Sequence, residues 1–255
     1  MNQSNIHTFD TDAAAQIHVC LLSPAESLNV GSVARVMSNF GFQNLLLCQP
    51  RDYDEDSAKR TACWAKDVLE GAQVYSDVGE MLSSMEDVVG FTSTSGKNWT
   101  GQMLLADWVT LFSSQPLRKT ALLFGPEDHG LTKEDLQHCS HLVRIPSSEK
   151  NPSFNLSHAV ALALYELSRN DRSIISMSEG EDFPTWNDFE QVDRLLEEIL
   201  EEVRFSRGGE PGQAPAILKS LFRRTSLNKR EAGLLLSFLG RVNTELRYRA
   251  QRSKS

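Results

Sequence analysis

No run of more than seven consecutive apolar residues occurs in this 255-residue chain, and the longest is Ala159–Tyr165. A membrane-spanning helix needs about 20, so the sequence offers none. Cysteine is scarce: Cys20, Cys48, Cys63 and Cys139 are the only four, and no two form a C-x-x-C pair. That spacing fits neither a zinc site nor a disulfide framework. A soluble, cytoplasmic protein with reduced thiols is the expectation. The opening MNQSNIHTFDTDAAAQ has no basic stretch followed by an apolar one, so no secretory leader is expected. No G-x-G-x-x-G follows a candidate strand, and neither G-x-x-x-x-G-K-[ST] nor G-x-S-x-G occurs. These absences set aside the dinucleotide fingerprint, the P-loop and the α/β-hydrolase elbow. His129, His138 and His141 lack carboxylates or thiols at ligand spacing, so no metal is expected.

A formal net charge of −8 argues at first against a polyanionic partner, but the charge is uneven. From Arg204 to Ser255 there are twelve Lys+Arg against three Asp+Glu, which leaves the rest of the chain at −17. An acidic body with a basic C-terminal segment reads either as a polyanion-binding appendage or as a solvated helical tail.

From Gln16 to Asn170 short β-rich runs alternate with helical patterns. The strands expected are 17–23, 44–49, 72–76, 87–93, 119–125 and 141–146, and the helices Val30–Asn39, Thr61–Leu69, Asp77–Ser84, Gln102–Ser113, Lys133–Gln137 and Leu156–Arg169. Near-continuous apolar strands between helices predict an α/β fold with a mostly parallel sheet covered on both faces. Three domain-level segments are expected: 1–170, a polar Gly- and Pro-containing linker 171–187, and a basic segment 188–255 carrying three amphipathic helices.

Ligands of such sheets bind beyond the carboxyl ends of the strands, so the loops there hold the candidates. In SPAESLNVGSVARVMSNFG, Asn29 and Gly31 turn into a helix that carries Arg35 on its first turns, a planar five-donor fork suited to phosphate. In LLFGPEDHGL, Gly125 and Gly130 bracket Glu127, Asp128 and His129, and the glycines permit close backbone approach to a flat ligand. In NPSFNLSHAVALALYEL, Asn155 or Ser153 caps a helix whose apolar face is expected at Ala159, Leu162, Ala163, Tyr165 and Leu167. Asn151, Ser153, Asn155, Ser157 and His158 are more polar side chains than one cap requires.

In this order the loops resemble the three motifs of SPOUT methyltransferases of the SpoU/TrmH group. NVGSVARVMSNFGF resembles the first motif, ALLFGPEDHGL the second and IPSSEKNPSFNLSHAVALALYEL the third, over about residues 16–170. The wording of the first two motifs and the helical extension are most similar to TrmJ-type tRNA (cytidine/uridine-2′-O-) methyltransferases. The resemblance implies a SPOUT α/β knot, in which the C-terminal half of the sheet domain forms a deep trefoil knot. Periodicity alone would have drawn an unknotted sheet. It also implies S-adenosyl-L-methionine as cofactor, tRNA as partner, and a homodimer with active sites at the subunit interface. The implied reaction is 2′-O-ribose methylation, with position 32 of the anticodon loop as target.

Residue by residue, the resemblance assigns catalytic roles to Asn29, Arg35, Glu127, Ser153 and Asn155. It assigns the cofactor to Thr92, Ser93, Thr94, Gly125, Ile145, Pro152, Ser153, Phe154 and Leu156. Phe154 departs from the usual leucine of the third motif; Pro126, Asp128 and His129 vary in the family and receive no role. Arginine side chains stay protonated, with pKa above about 12, so Arg35 is expected to orient the hydroxyl and the phosphate rather than take the proton. Arg35 would reach in from the partner subunit. RNA backbone contacts are expected from Arg35 and from Arg223, Arg224, Lys229, Arg230 and Arg241, with Arg247 and Arg249 beside them. Two rival readings stand beside this one: the same chemistry on ribosomal RNA or another tRNA position, and a non-catalytic RNA-binding SPOUT protein.

Overall fold

The structure is a computed structural model that describes residues 11–93, 102–170, 182–203, 205, 213–225 and 227–252. After α1 (Thr11–Gln16), strand β1 (Ile17–Leu22) leads to α2 (Ser27–Phe40), β2 (Asn44–Cys48), α3 (Glu55–Ala62), α4 (Lys66–Glu70), β3 (Gln73–Tyr75), α5 (Val78–Leu82) and β4 (Asp87–Phe91). Then come β5 (Gln102–Leu104), α6 (Leu105–Ser113), β6 (Thr120–Phe124), α7 (Lys133–Gln137), β7 (His141–Arg144) and α8 (Leu156–Arg169). Helices α9 (Trp186–Glu202), α10 (Gln213–Arg224) and α11 (Lys229–Arg252) complete the order.

The strands form one seven-stranded sheet in the order β3-β2-β1-β6-β4-β7-β5, and every pairing is parallel. Side chains alternate faces along a strand, so a sheet covered on both sides must be apolar at every position. Along β1, Val19 and Leu21 enter one core layer with α2, α3, α6 and α8, while Cys20 and Leu22 enter the layer of α5 and α7. In β6, Leu122 and Phe124 alternate in the same way with Ala121 and Leu123. This explains why the strands read as unbroken apolar runs.

The elements differ from expectation in four places. β5 is an edge strand of three residues at the start of the expected helix 102–113, which begins at Leu105. The expected helix 61–69 is two helices, broken where Cys63 takes φ 56° and ψ −107°. Helix α2 begins at Ser27 rather than Val30. Helix α8 has the expected bounds, but its buried face is Leu156, Val160, Ala163, Leu164 and Leu167, and Tyr165 is exposed. These residues, at i, i+4, i+7, i+8 and i+11, form the tighter stripe, so the ring turns outward.

The stretch expected as a linker is described only from Asp182, and there it packs. Phe183 is buried with the Arg118 guanidinium 4.1 Å over its ring, and Trp186 joins the core layer of α5 and α7. Val192, Leu196 and Leu239 form a small core of their own between α9 and α11. The acidic face of α9 absorbs much of the basic segment's charge: Lys219 pairs with Glu197 and Arg247 with Glu198.

One residue drops out of the expected RNA contacts. Arg223 is buried and paired with both Asp193 and Glu190, so its charge is spent inside the protein and cannot reach a phosphate. Lys229 is exposed but pairs with Asp182. Arg230 and Arg241 are exposed and Arg224 is half-buried, and none of the three has a carboxylate partner among the described residues.

Helix α2 lies close to α3 because residue 31 has no side chain: a Cβ there would sit 1.9 Å from the Ala58 carbonyl oxygen and 2.3 Å from Thr61 Oγ1. In an open helix, Gly→Ala stabilises by about 1 kcal/mol. Gly31→Ala should instead lower the unfolding free energy by about 1–3 kcal/mol or more through overpacking. Gly240→Ala on α11, where the added carbon meets nothing within 4 Å, should raise it by about 0.5–1 kcal/mol. Thermal denaturation of the two variants checks the opposite signs.

Candidate functional site

A parallel sheet brings the carboxyl ends of its strands to one edge, so the loops after β1, β4, β6 and β7 meet there. Glu127, in the loop after β6, is the joint between them. Its Oε1 accepts from Asn29 Nδ2 at 2.8 Å and its Oε2 accepts from the Ala25 backbone N–H at 2.9 Å. The two oxygens of one half-buried carboxylate therefore hold the loop after β1 against the loop after β6. Asn29 Oδ1, left free by that bond, faces Asn155 Nδ2 at 3.4 Å, which brings in the loop after β7.

Asn155 has two tasks. It is the N-cap of α8, and its Oδ1 accepts from the Ser157 N–H at 3.0 Å and the Ser157 hydroxyl at 2.8 Å. Its amide nitrogen is thereby directed away from the helix, toward Asn29. An amide side chain can cap with its oxygen and donate elsewhere with its nitrogen, which a serine or aspartate cap could not do in this way.

Beside this network is a cleft of about 230 Å³. Thr92, Ser93, Gly125, Ile145, Pro152, Ser153, Phe154 and Leu156 all line it, so the expected cofactor residues converge, apart from Thr94, which lies outside the described residues. Sequence reasoning missed the apolar floor of Phe91, Phe124, Val143 and Ala159. Those residues carried only the signal of ordinary core strands and helix. Gly125 sets the wall: a Cβ there would come within 2.3 Å of the Gly130 carbonyl carbon and the Leu131 nitrogen. The loop closes on itself only because residue 125 has no side chain.

Arg51 was also missed. From the loop after β2 it makes a bidentate pair with Asp128, both contacts at 3.0 Å, and donates Nε–H to the Ser23 carbonyl at 3.1 Å. Its own backbone N–H reaches the Pro24 carbonyl at 3.0 Å. The hydrogen bonds from Arg51 hold the Asp128 carboxyl at about 2, well below its ordinary range. The pair is therefore intact above the ordinary carboxylate pKa near 4 and is lost only as pH falls toward 2. No sequence signal marks this partnership, because its members lie 77 residues apart.

Arg35 stands elsewhere. It lies on the exposed face of α2, with Nη1 3.5 Å from Cys63 Sγ, and it does not line the cleft of its own chain. Among the expected catalytic residues, the fold thus unites Asn29, Glu127 and Asn155 by hydrogen bonds, sets Ser153 on the cleft wall, and leaves Arg35 apart. No group of three or more potential metal ligands is found among the described residues, and no helix there is long and apolar enough to cross a membrane.

The SpoU rRNA Methylase family matches residues 16–165 of the chain. The TrmJ tRNA (cytidine-2′-O-)-methyltransferase of Methanocaldococcus jannaschii is 32% identical over 231 residues, which span 87% of this chain and 97% of that protein. The TrmJ tRNA (cytidine/uridine-2′-O-)-methyltransferase of Sodalis glossinidius is 30% identical over 229 residues, spanning 88% of this chain and 89% of that one. Among solved structures, TrmJ from Z. mobilis ZM4 superposes with a TM-score of 0.75 at 26% identity, over 88% of this chain and 98% of that one.

Arg51→Ala should release the loop 125–130 while leaving the sheet intact. Hydrogen exchange of the His129 and Gly130 amides is then expected to accelerate severalfold as the loop opens locally, with β1 and β6 amides unchanged.

Proposed function

This chain belongs to the SpoU rRNA Methylase family, and from that premise we propose that it is an S-adenosylmethionine-dependent tRNA 2′-O-ribose methyltransferase. Its target, in this reading, is the cytidine or uridine at position 32 of the anticodon loop. The observation that carries the proposal is the hydrogen-bonded series Ala25–Glu127–Asn29–Asn155 beside the Gly125 cleft. A protein that only bound RNA would have no need of such a preorganised constellation. The relatives that match nearly the full length of this chain carry the same activity in their names.

The cleft suits the cofactor. Ile145, Val143 and Leu156 offer an apolar slot for a flat ring, Thr92 and Ser93 line it with hydroxyls, and the loop of Gly125 forms its wall. S-adenosylmethionine, when bound, supplies an electrophilic methyl group on a sulfonium for in-line transfer. The protein's own part is positioning. Pro152, Ser153 and Phe154 line the cleft, and Phe154 is 41% exposed. Asn29 and Asn155 fix where a ribose hydroxyl lies, held in turn by Glu127. Arg35 engages the RNA phosphate and the attacking hydroxyl and stabilises the developing alkoxide. A guanidinium donates and does not accept, so the proton passes to water or a phosphate oxygen.

The exposure of Arg35 away from its own cleft supports a homodimer in which it serves the partner's site. The proposed architecture is a SPOUT methyltransferase domain over residues 1–170 with the knot in its C-terminal half, a linker that ends before the packed stretch from Asp182, and a helical RNA-gripping segment from there to 255. Within that segment Arg224, Arg230 and Arg241 are the phosphate contacts, with Lys229 beside them. A cytoplasmic location accords with the substrate.

Incubation of the protein with S-adenosylmethionine and unmodified bulk tRNA, followed by nucleoside mass spectrometry, tests the reaction. A 2′-O-methylated cytidine or uridine is expected, and a base-methylated product overturns the assignment.

A further inference from the structure

Trp64 is 99% exposed, the extreme among the large apolar side chains of the described residues. It sits in the turn between α3 and α4, where Ala62 and Ala65 are both buried and pin the chain on either side. Cys63 bridges them with φ 56° and ψ −107°, a conformation that costs a non-glycine residue free energy and persists where the surroundings enforce it. The indole is thus held out on a strained, anchored turn rather than on a loose loop. Arg35 reaches this turn, with its guanidinium 3.5 Å from Cys63 Sγ. Arg60, on the last turn of α3, and Lys66, the first residue of α4, are both exposed and have no carboxylate partner among the described residues.

We propose that Trp64 is a positioning residue that stacks an unpaired RNA base while Arg35 holds the adjoining phosphate. The inference rests on the reading of the protein as an RNA methyltransferase and deepens it. A ribose in a folded loop is presented to a cleft by unstacking its nucleotide from its neighbours, and an anchored indole replaces the stacking lost. Single-stranded RNA sites combine aromatic faces with cationic side chains in this manner. A second copy of the chain is the weaker occupant, because interface centres are depleted in lysine and acid, whereas this ring has Lys66 and Asp67 as near neighbours in the chain.

The test compares the full-length wild type with Trp64→Ala and Trp64→Phe, using an unmodified tRNA transcript and S-adenosylmethionine. Trp64→Ala is expected to weaken tRNA binding and raise its KM by about tenfold, the size of one lost base stack, with kcat changing far less. Trp64→Phe should recover most of the loss, and affinity for S-adenosylmethionine should be the same in all three. Unchanged tRNA affinity in Trp64→Ala overturns the inference, as does failure of phenylalanine to rescue. A change in sedimentation of the free protein assigns the ring to a protein contact and likewise overturns it. Trp64-dependent tRNA binding by a wild type that transfers no methyl group supports the stacking and overturns the reaction.

Discussion

One carboxylate holds the site together. Glu127 stands in the loop after β6, the strand paired directly to β1, and its two oxygens take the Ala25 amide and the Asn29 side chain. Strand pairing brings the two loops near each other, but nothing in a parallel sheet dictates the conformation of the loops themselves. The carboxylate supplies that definition, and Arg51 adds a second tie by clamping Asp128 and the Ser23 carbonyl. With both in place, Asn29 presents its oxygen to Asn155, and the N-terminus of α8 joins the site.

This arrangement makes the functional loops part of the fold's stability. Asn155 caps α8 and belongs to the polar network, so the helix end and the site are ordered together. Gly125 permits the loop after β6 to fold back on Gly130 and Leu131, and the loop so closed forms part of the cleft wall. Such double use accounts for the polar surplus at the start of the third motif: the cap needs one residue, the cleft lip and the network need the rest. Ser157 takes part as well, since both its N–H and hydroxyl fix the Asn155 oxygen.

Much of this was legible in the residues. The six apolar strands and the bounds of α7 and α8 come from periodicity, and motif order pointed to Asn29, Glu127, Ser153 and Asn155 in one place. The features that stayed hidden depend on tertiary contact. The break between α3 and α4 turns on a positive φ at Cys63, where a glycine would have signalled it. β5 is three residues at a sheet edge, too short for a period to register. The basic C-terminal segment read as a polyanion-binding appendage or a solvated tail, yet Lys219, Arg223 and Arg247 are matched to acids of α9, and helix pairing is invisible to a charge count. Arg51 and Asp128 were silent for the same reason.

The central claim is that Glu127, Asn29 and Asn155 act as one unit. A double-mutant cycle on methyl-transfer turnover, built from Glu127→Ala, Asn155→Ala and the double variant, tests it most directly. Residues in one hydrogen-bonded network couple by about 0.5–3 kcal/mol, so the double variant should be little worse than the poorer single variant. Losses that simply add would contradict the account.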